Sequence, residues 1–307
     1  MKQIKNSLTL ALVILVLSCK TDTKKAKNTK LKVVTTTTML TDLVQEIGGD
    51  SIQVEGLMGS GVDPHLYKAS EGDVNKLSNA DVIFYNGLHL EGKLVEVFEK
   101  MEKTNVKTIA VADAVAENKF IGSEYFASNY DPHIWFNIDF WKSITEFTTE
   151  RLKETDPKNA AFFELNEKKY LKALDSLDID IKNSIADLPP EKRILVTAHD
   201  AFNYFGQAFG FEVVGLQGLS TATEAGVQDV QELAKFIIEK DVKAIFVESS
   251  VPKRTIEALQ ASVRSKGHEV TIGGTLYSDA LGNKGTEEGT YIGMFRYNVN
   301  TIVNALK

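Results

Sequence analysis

The chain has 307 residues, 43% of them hydrophobic, with 35 basic against 42 acidic side chains and a formal net charge of −7. That length suits one large domain or two of ordinary size, and the apolar share is enough for buried sheets. A mildly acidic chain without a basic stripe is a poor partner for nucleic acid, and its single cysteine excludes an internal disulfide and a cysteine-built metal site.

At the amino end, Lys2 and Lys5 precede an apolar run, Leu8 to Leu17, of signal-peptide length and too short for a comfortable membrane span. Ser18-Cys19 follows at once. Residues 1–18 resemble a bacterial lipoprotein signal, which implies that Cys19 is the acylated first residue of the mature protein. A secretory peptide leaving a free thiol is the other reading. Lys20 to Lys30 holds five lysines and no large apolar residue, so residues 19–30 read as a flexible tether lifting the folded part off a membrane.

Beyond the tether, β-rich runs alternate with helical patterns. Predicted strands are Leu31–Thr37, Ile52–Met58, Asp81–Asn86 and Lys107–Val111, then Arg193–Ala198, Phe211–Leu216, Lys243–Val247 and Glu269–Gly273. Their Val/Ile runs lack polar alternation, which suits parallel strands buried on both faces. Helical stretches fall between them at Thr41–Ile47, Gln228–Glu239 and Thr255–Lys266. The pattern is α/β, with two βα lobes of about four parallel strands each.

Between the two sets, Lys158 to Leu188 contains neither Gly nor Pro, with Pro157 before it and Pro189-Pro190 after it. Phe162, Phe163, Leu165, Tyr170, Leu174, Leu177 and Ile181 fall roughly on one face. A helix there would run roughly 45 Å at about 1.5 Å per residue, enough to cross two domains. The predicted division is a lobe over 31–157, a stiff linking helix over 158–188 and a lobe over 189–307. A long surface helix of a single domain is the alternative.

Three of the five histidines and one aspartate sit where strands should end: His65, His133, His199 and Asp279. Three imidazoles and a carboxylate are a coherent ligand set for a borderline divalent metal. His65 and His133 each close an Asp-Pro-His tripeptide (Asp63-Pro64-His65 and Asp131-Pro132-His133), in which Pro stiffens the loop. Asp63 and Asp131 are either acceptors for the non-ligating imidazole N–H or simple turn residues. His199 comes off its strand with Asp200 placed as a helix N-cap and Gly210 as the C-terminal stop. Open parallel sheets bind ligands beyond the carboxyl ends of their strands. With two candidates from each half, the inter-lobe cleft is the natural meeting place. His89 reads as a hydrogen-bonding neighbour and His268 as a solvated loop residue. Glu224 and Glu248 are both placed to face the cleft, although Glu224 reads more readily as a helix-start acid.

With those residues in view, the chain resembles the zinc/manganese-binding lipoproteins of bacterial ABC importers, the TroA-like and ZnuA-like family. The resemblance runs through KVVTTTTMLTDLV, GVDPHLYKAS, FYNGLHLEGKL, DPHIWFN, TAHDAFNYFG and LYSDALG. It implies two βα lobes bridged by a long rigid helix, with family ligand positions at His65, His133, His199 and Asp279. It also implies capture of a metal outside the cytoplasmic membrane and delivery to a permease driven by a partner ATPase, with the chain acting as a monomer. Many zinc-dedicated members carry a His-rich loop early in the first lobe, whereas residues 70–79 here hold no histidine. Members regarded as manganese-selective usually have a carboxylate at the position of His199. The donor set favours Zn²⁺, with Mn²⁺ as the alternative if Asp279 is bidentate. Rival readings are a zinc hydrolase, for which H-E-x-x-H and G-x-S-x-G are missing, and an adhesin-type surface lipoprotein.

Overall fold

The computed structural model describes residues 30–104, 106–124 and 126–307. The signal segment, Cys19 and the tether up to residue 29 lie outside the described residues.

Strands β1 (Leu31–Thr35), β2 (Ile52–Gly56), β3 (Val82–Tyr85) and β4 (Lys107–Ala110) form a parallel sheet in the order β2-β1-β3-β4. Consecutive residues Val33 and Val34, and again Val82 to Phe84, are buried; both faces of the sheet are therefore covered, as an apolar run without alternation requires. Helices α1 (Thr38–Gly48), α2 (Glu71–Ser78) and α3 (Val95–Lys103) alternate with these strands. Residues 70–79, aligned by the resemblance with a loop, instead form α2. Ser70 and Asp73 each accept the other's backbone N–H, a reciprocal cap that starts the helix.

Two long helices follow, α4 (Ile138–Thr155) and α5 (Ala160–Ala186), the second entered through a 3₁₀ turn at Pro157–Asn159. The predicted linking helix is therefore present. Its buried stripe is Phe163, Tyr170, Leu174, Leu177, Ile181 and Ile185. Phe162 and Leu165 do not belong to that stripe, being 39% and 51% exposed. At about 100° per residue Leu165 falls nearly opposite Phe163, so an apolar count over the window overstated the buried face. Helix α4 was not anticipated, because its core side is built partly of threonines. Thr145 and Thr149 satisfy their buried hydroxyls on the carbonyls of Trp141 and Thr145.

The second half contains β5 (Ile194–His199), α6 (Asn203–Phe209), β6 (Glu212–Gln217), α7 (Val227–Glu239), β7 (Ala244–Glu248), α8 (Arg254–Ser265), β8 (Thr271–Leu276) and α9 (Tyr291–Leu306). All eight predicted strands are present, displaced by a few residues at most. The four strands here are joined as two parallel ladders, β5-β6 and β7-β8, with β5 beside β7. At the carboxyl end of that seam the His199 N–H donates 2.9 Å to the Glu248 carboxylate instead of to a main-chain carbonyl.

Helix α5 packs on α1, α4 and α9. One buried apolar cluster runs from Leu31 to Leu306, so segments on either side of α5 share a core. Within it Trp141 stacks on Tyr291 at 4.7 Å and Phe136 lies 4.4 Å from Phe202. Among the described residues no helix is long and apolar enough to cross a membrane.

Leu174→Ala on the buried face of α5 is expected to cost about 2–5 kcal/mol by cavity formation. Leu165→Ala on the outward face should stay within about 0.5 kcal/mol. Urea denaturation of the two variants checks the assignment of faces.

Candidate metal centre

His65, His133, His199 and Asp279 converge although they are far apart in sequence: each offers a ligand atom, and these atoms all lie within 4.8 Å of one another. All four side chains are buried. His65 Nε2 is 3.3 Å from His133 Nε2, His133 Nε2 is 3.6 Å from Asp279 Oδ1, and His199 Nε2 is 3.3 Å from Asp279 Oδ2.

Each residue is delivered by a local device. His65 lies in the loop after β2, where Gly61 turns at φ +71 and the Asp63 carboxylate accepts the His65 backbone N–H at 2.8 Å. His133 does not follow a strand directly. Its loop is held to the end of β3 by Asn86 Nδ2, which donates to the Pro132 carbonyl at 2.9 Å. His199 is the last residue of β5. Gly215 of β6 lets the strands close there, since a Cβ would sit 2.5 Å from the Asp200 nitrogen. Asp279 follows β8, and the Trp135 indole donates to the carbonyl of the preceding Ser278 at 2.9 Å. The wall behind His133 is thus fastened to the loop carrying Asp279.

Carboxylates fix two of the rings. His133 Nδ1 donates to Asp131 at 2.7 Å and His199 Nδ1 to Glu248 at 2.6 Å. Each bond occupies Nδ1 and leaves Nε2 aimed at the common centre. The two Asp-Pro-His motifs therefore differ: Asp131 takes the imidazole N–H, while Asp63 takes only the backbone N–H and turns its other oxygen to Thr221. Asp200 is not the N-cap of α6; that position is Phe202. The Asp200 carboxylate accepts the Gly215 N–H instead. Gly210 ends α6 at φ +74 as predicted.

Glu248 was read only as a residue that could face the cleft, and its bond to His199 was not foreseen; the signal was an acid closing a fully buried strand. Trp135 and Ser250, whose hydroxyl donates to Asp279 Oδ2 at 3.2 Å, gave no such signal, because their roles depend on loops that meet only after folding. Glu224 is exposed and paired with Arg254 at 2.6 Å, three residues before α7 and away from the cluster. His89 occupies an exposed left-handed turn at φ +63. His268 lies in a half-buried loop 3.8 Å from Asp241.

The electrostatics call for a cation. Burial pushes the His65 imidazole down to about 3. Burial also opposes charge on His199, yet the Asp279 and Glu248 carboxylates hold it well above its ordinary value. Burial would raise Asp279, but the imidazoles, His199 first, hold it below the usual carboxylate range. His199 Nε2 and Asp279 Oδ1 are buried without a hydrogen-bond partner, a costly condition unless something positive completes them. A tetrahedral ion with arms of about 2.0–2.1 Å has ligand atoms about 3.3–3.4 Å apart. Three of the separations, at 3.3, 3.6 and 3.3 Å, lie close to that spacing.

The family described as zinc-uptake complex component A, periplasmic (ZnuA), matches residues 33–305. The chain is 49% identical over 290 residues to the manganese-binding lipoprotein MntA of Bacillus subtilis, covering 94% of each. It is 47% identical over 281 residues to the zinc-binding protein TroA of Treponema pallidum, covering 92% of this chain and 90% of the relative. The solved structure of that treponemal periplasmic zinc-binding protein matches at a TM-score of 0.88 and 47% identity, over 90% of this chain and 99% of the other.

The metal-free protein should hold His65 neutral and His199 protonated at the same neutral pH. Nitrogen-15 NMR of the imidazoles tests this: a neutral His199 ring at pH 7 would contradict the assignment.

Proposed function

Because the chain belongs to the ZnuA family of periplasmic zinc-uptake components, we propose that it is the extracytoplasmic solute-binding protein of an ABC importer, with His65, His133, His199 and Asp279 gripping the cargo ion. The observation that carries this reading is the convergence of four ligand atoms within 4.8 Å, two of them buried and unpartnered. The 31–157 and 189–307 segments act as two lobes on the 158–188 helix, a monomer anchored through acylated Cys19, delivering metal to a permease and its ATPase. The ion is cargo, not a catalyst: four buried protein ligands leave no open position for an activated water, which a hydrolase would need. That favours transport over the enzyme reading.

Zinc is the preferred cargo on coordination grounds, since three neutral nitrogens and one carboxylate match its four-coordinate habit. Manganese is the specific alternative, supported by the relative from Bacillus subtilis and by the placement of Asp279. Its two oxygens face different imidazoles, Oδ1 towards His133 and Oδ2 towards His199, so bidentate coordination would need little rearrangement. Zn²⁺ stands above Mn²⁺ in the divalent affinity series. In direct competition zinc should win by a factor on the order of a hundred or more; equal affinities would sink the zinc assignment.

His65→Ala or Asp279→Ala should abolish most of the metal-dependent stabilisation seen as a rise in melting temperature, a stabilisation of about 4 kcal/mol for the intact site at about a thousandfold excess over Kd. An unchanged shift in both variants would remove these residues from the site. Metal must also displace the proton that Asp279 and Glu248 hold on His199. Binding at neutral pH should release about one proton, and affinity should fall about tenfold per pH unit on acidification. Calorimetry in two buffers of different ionisation enthalpy measures that proton directly.

A further inference from the structure

We infer that the hydrogen bond between Asp63 and Thr221 is a clasp that keeps His65 on the ion, and that its opening sets the rate of metal release. The inference rests on the four-residue cluster being the cargo site.

His65 differs from the other three residues. It is 5% exposed, against 0% for His133 and His199 and 1% for Asp279, so it lies on the side where an ion can leave. The His133 and His199 rings are locked by carboxylates on Nδ1, and Asp279 Oδ2 accepts the Ser250 hydroxyl at 3.2 Å. No such lock holds the His65 ring among the described residues. Its loop is organised mainly from within: Val62 N–H donates to Gly59, His65 N–H to Asp63, and the Tyr67 hydroxyl to Leu57. Gly59 has no atom within 4 Å of a would-be Cβ, while Gly61, in the left-handed region, brings the loop against the opposite wall, where a Cβ would sit 3.4 Å from the Ser249 carbonyl.

Among the described residues, one hydrogen bond ties the backbone and acids of that loop to the second half of the chain. The Thr221 hydroxyl donates to Asp63 Oδ2 at 2.5 Å across 158 residues of sequence. The same carboxylate, through Oδ1, holds the His65 N–H, so one side chain links the ligand to the opposite wall. The segment carrying Thr221 is anchored two residues further on, where Gln217 Nε2 donates to the Thr223 carbonyl at 3.0 Å. Gln217 pairs in register with His199 at the end of β5. The clasp therefore connects His65 to the strand pair carrying His199. Asp63 and Thr221 are not among the four converging ligands and act through the His65 backbone, as positioning residues. A hydroxyl-to-carboxylate bond is among the stronger neutral-to-ion contacts, enough to change an escape rate without being needed for folding.

The test is release of Zn²⁺ from the full mature chain into excess chelator, followed by stopped flow, for the wild type, Thr221→Val and Thr221→Ser. Valine keeps the shape and removes the donor, and serine keeps the donor. The expected result is release about tenfold faster in Thr221→Val, recovery in Thr221→Ser, and a metal-free melting temperature unchanged in both. Equal release rates in the wild type and Thr221→Val overturn the clasp. So does a valine variant whose metal-free form is destabilised as much as its loaded form, which would mark a merely structural contact. A wild-type chain that binds neither zinc nor manganese would instead remove the cargo-site reading, and the clasp with it.

Discussion

Two carboxylate–imidazole bonds govern this molecule: Asp131 to His133 and Glu248 to His199. Both acids and both rings are buried, where an unpaired charge or polar group is expensive. Neither ring can turn over without exposing a buried carboxylate to nothing. Their Nε2 atoms are consequently aimed at one point whether or not an ion is there. The ordering cost is met during folding, which leaves more of the coordination energy for affinity. His199 Nε2 and Asp279 Oδ1, both buried without a hydrogen-bond partner, then face the point that a cation would complete.

The surrounding frame explains why so much of the site is fixed. A single apolar cluster reaches from the first strand to the last helix, and Trp135 bridges the loop of His133 to that of Asp279 through Ser278. Tyr291 adds a bond from its hydroxyl to the Trp135 carbonyl at 2.7 Å. With a stiff helix and a shared core behind the cluster, wide separation of the two halves would break packing that dominates stability. Motion is cheaper in the glycine-bearing loop of His65, which has few bonds outward. Capture and release can then be asymmetric, with three ligands held and one that moves.

Family membership leaves the choice of metal to chemistry. Relatives named for manganese and for zinc are almost equally similar to this chain, at 49% and 47% identity. Overall likeness therefore cannot sort them, and the decision falls to one carboxylate. If Asp279 binds through a single oxygen the site is a four-coordinate zinc site; through both, it gains the extra oxygen that manganese prefers. Because Asp279 is seated by Ser250 on Oδ2 alone, Oδ1 keeps the freedom to take either role.

The α/β order, the eight strands, the long helix and the four convergent residues were legible in the sequence, because each leaves a local trace. Val/Ile runs mark strands buried on both faces, a stretch free of Gly and Pro marks a helix, and histidines stand out in a chain that has only five. Helix α4 and the capped helix α2 were missed, since threonine-rich and polar segments acquire helical geometry from packing and caps more than from periodicity. The roles of Glu248, Trp135 and Thr221 were not legible either, and Asp200 was misread as a cap. Each depends on a partner between 15 and 158 residues away, and one-dimensional spacing says nothing about such distances. Sequence thus determined which donor atoms exist; only the tertiary structure decided which way they point, because orientation is set by bonds that form after distant loops have met.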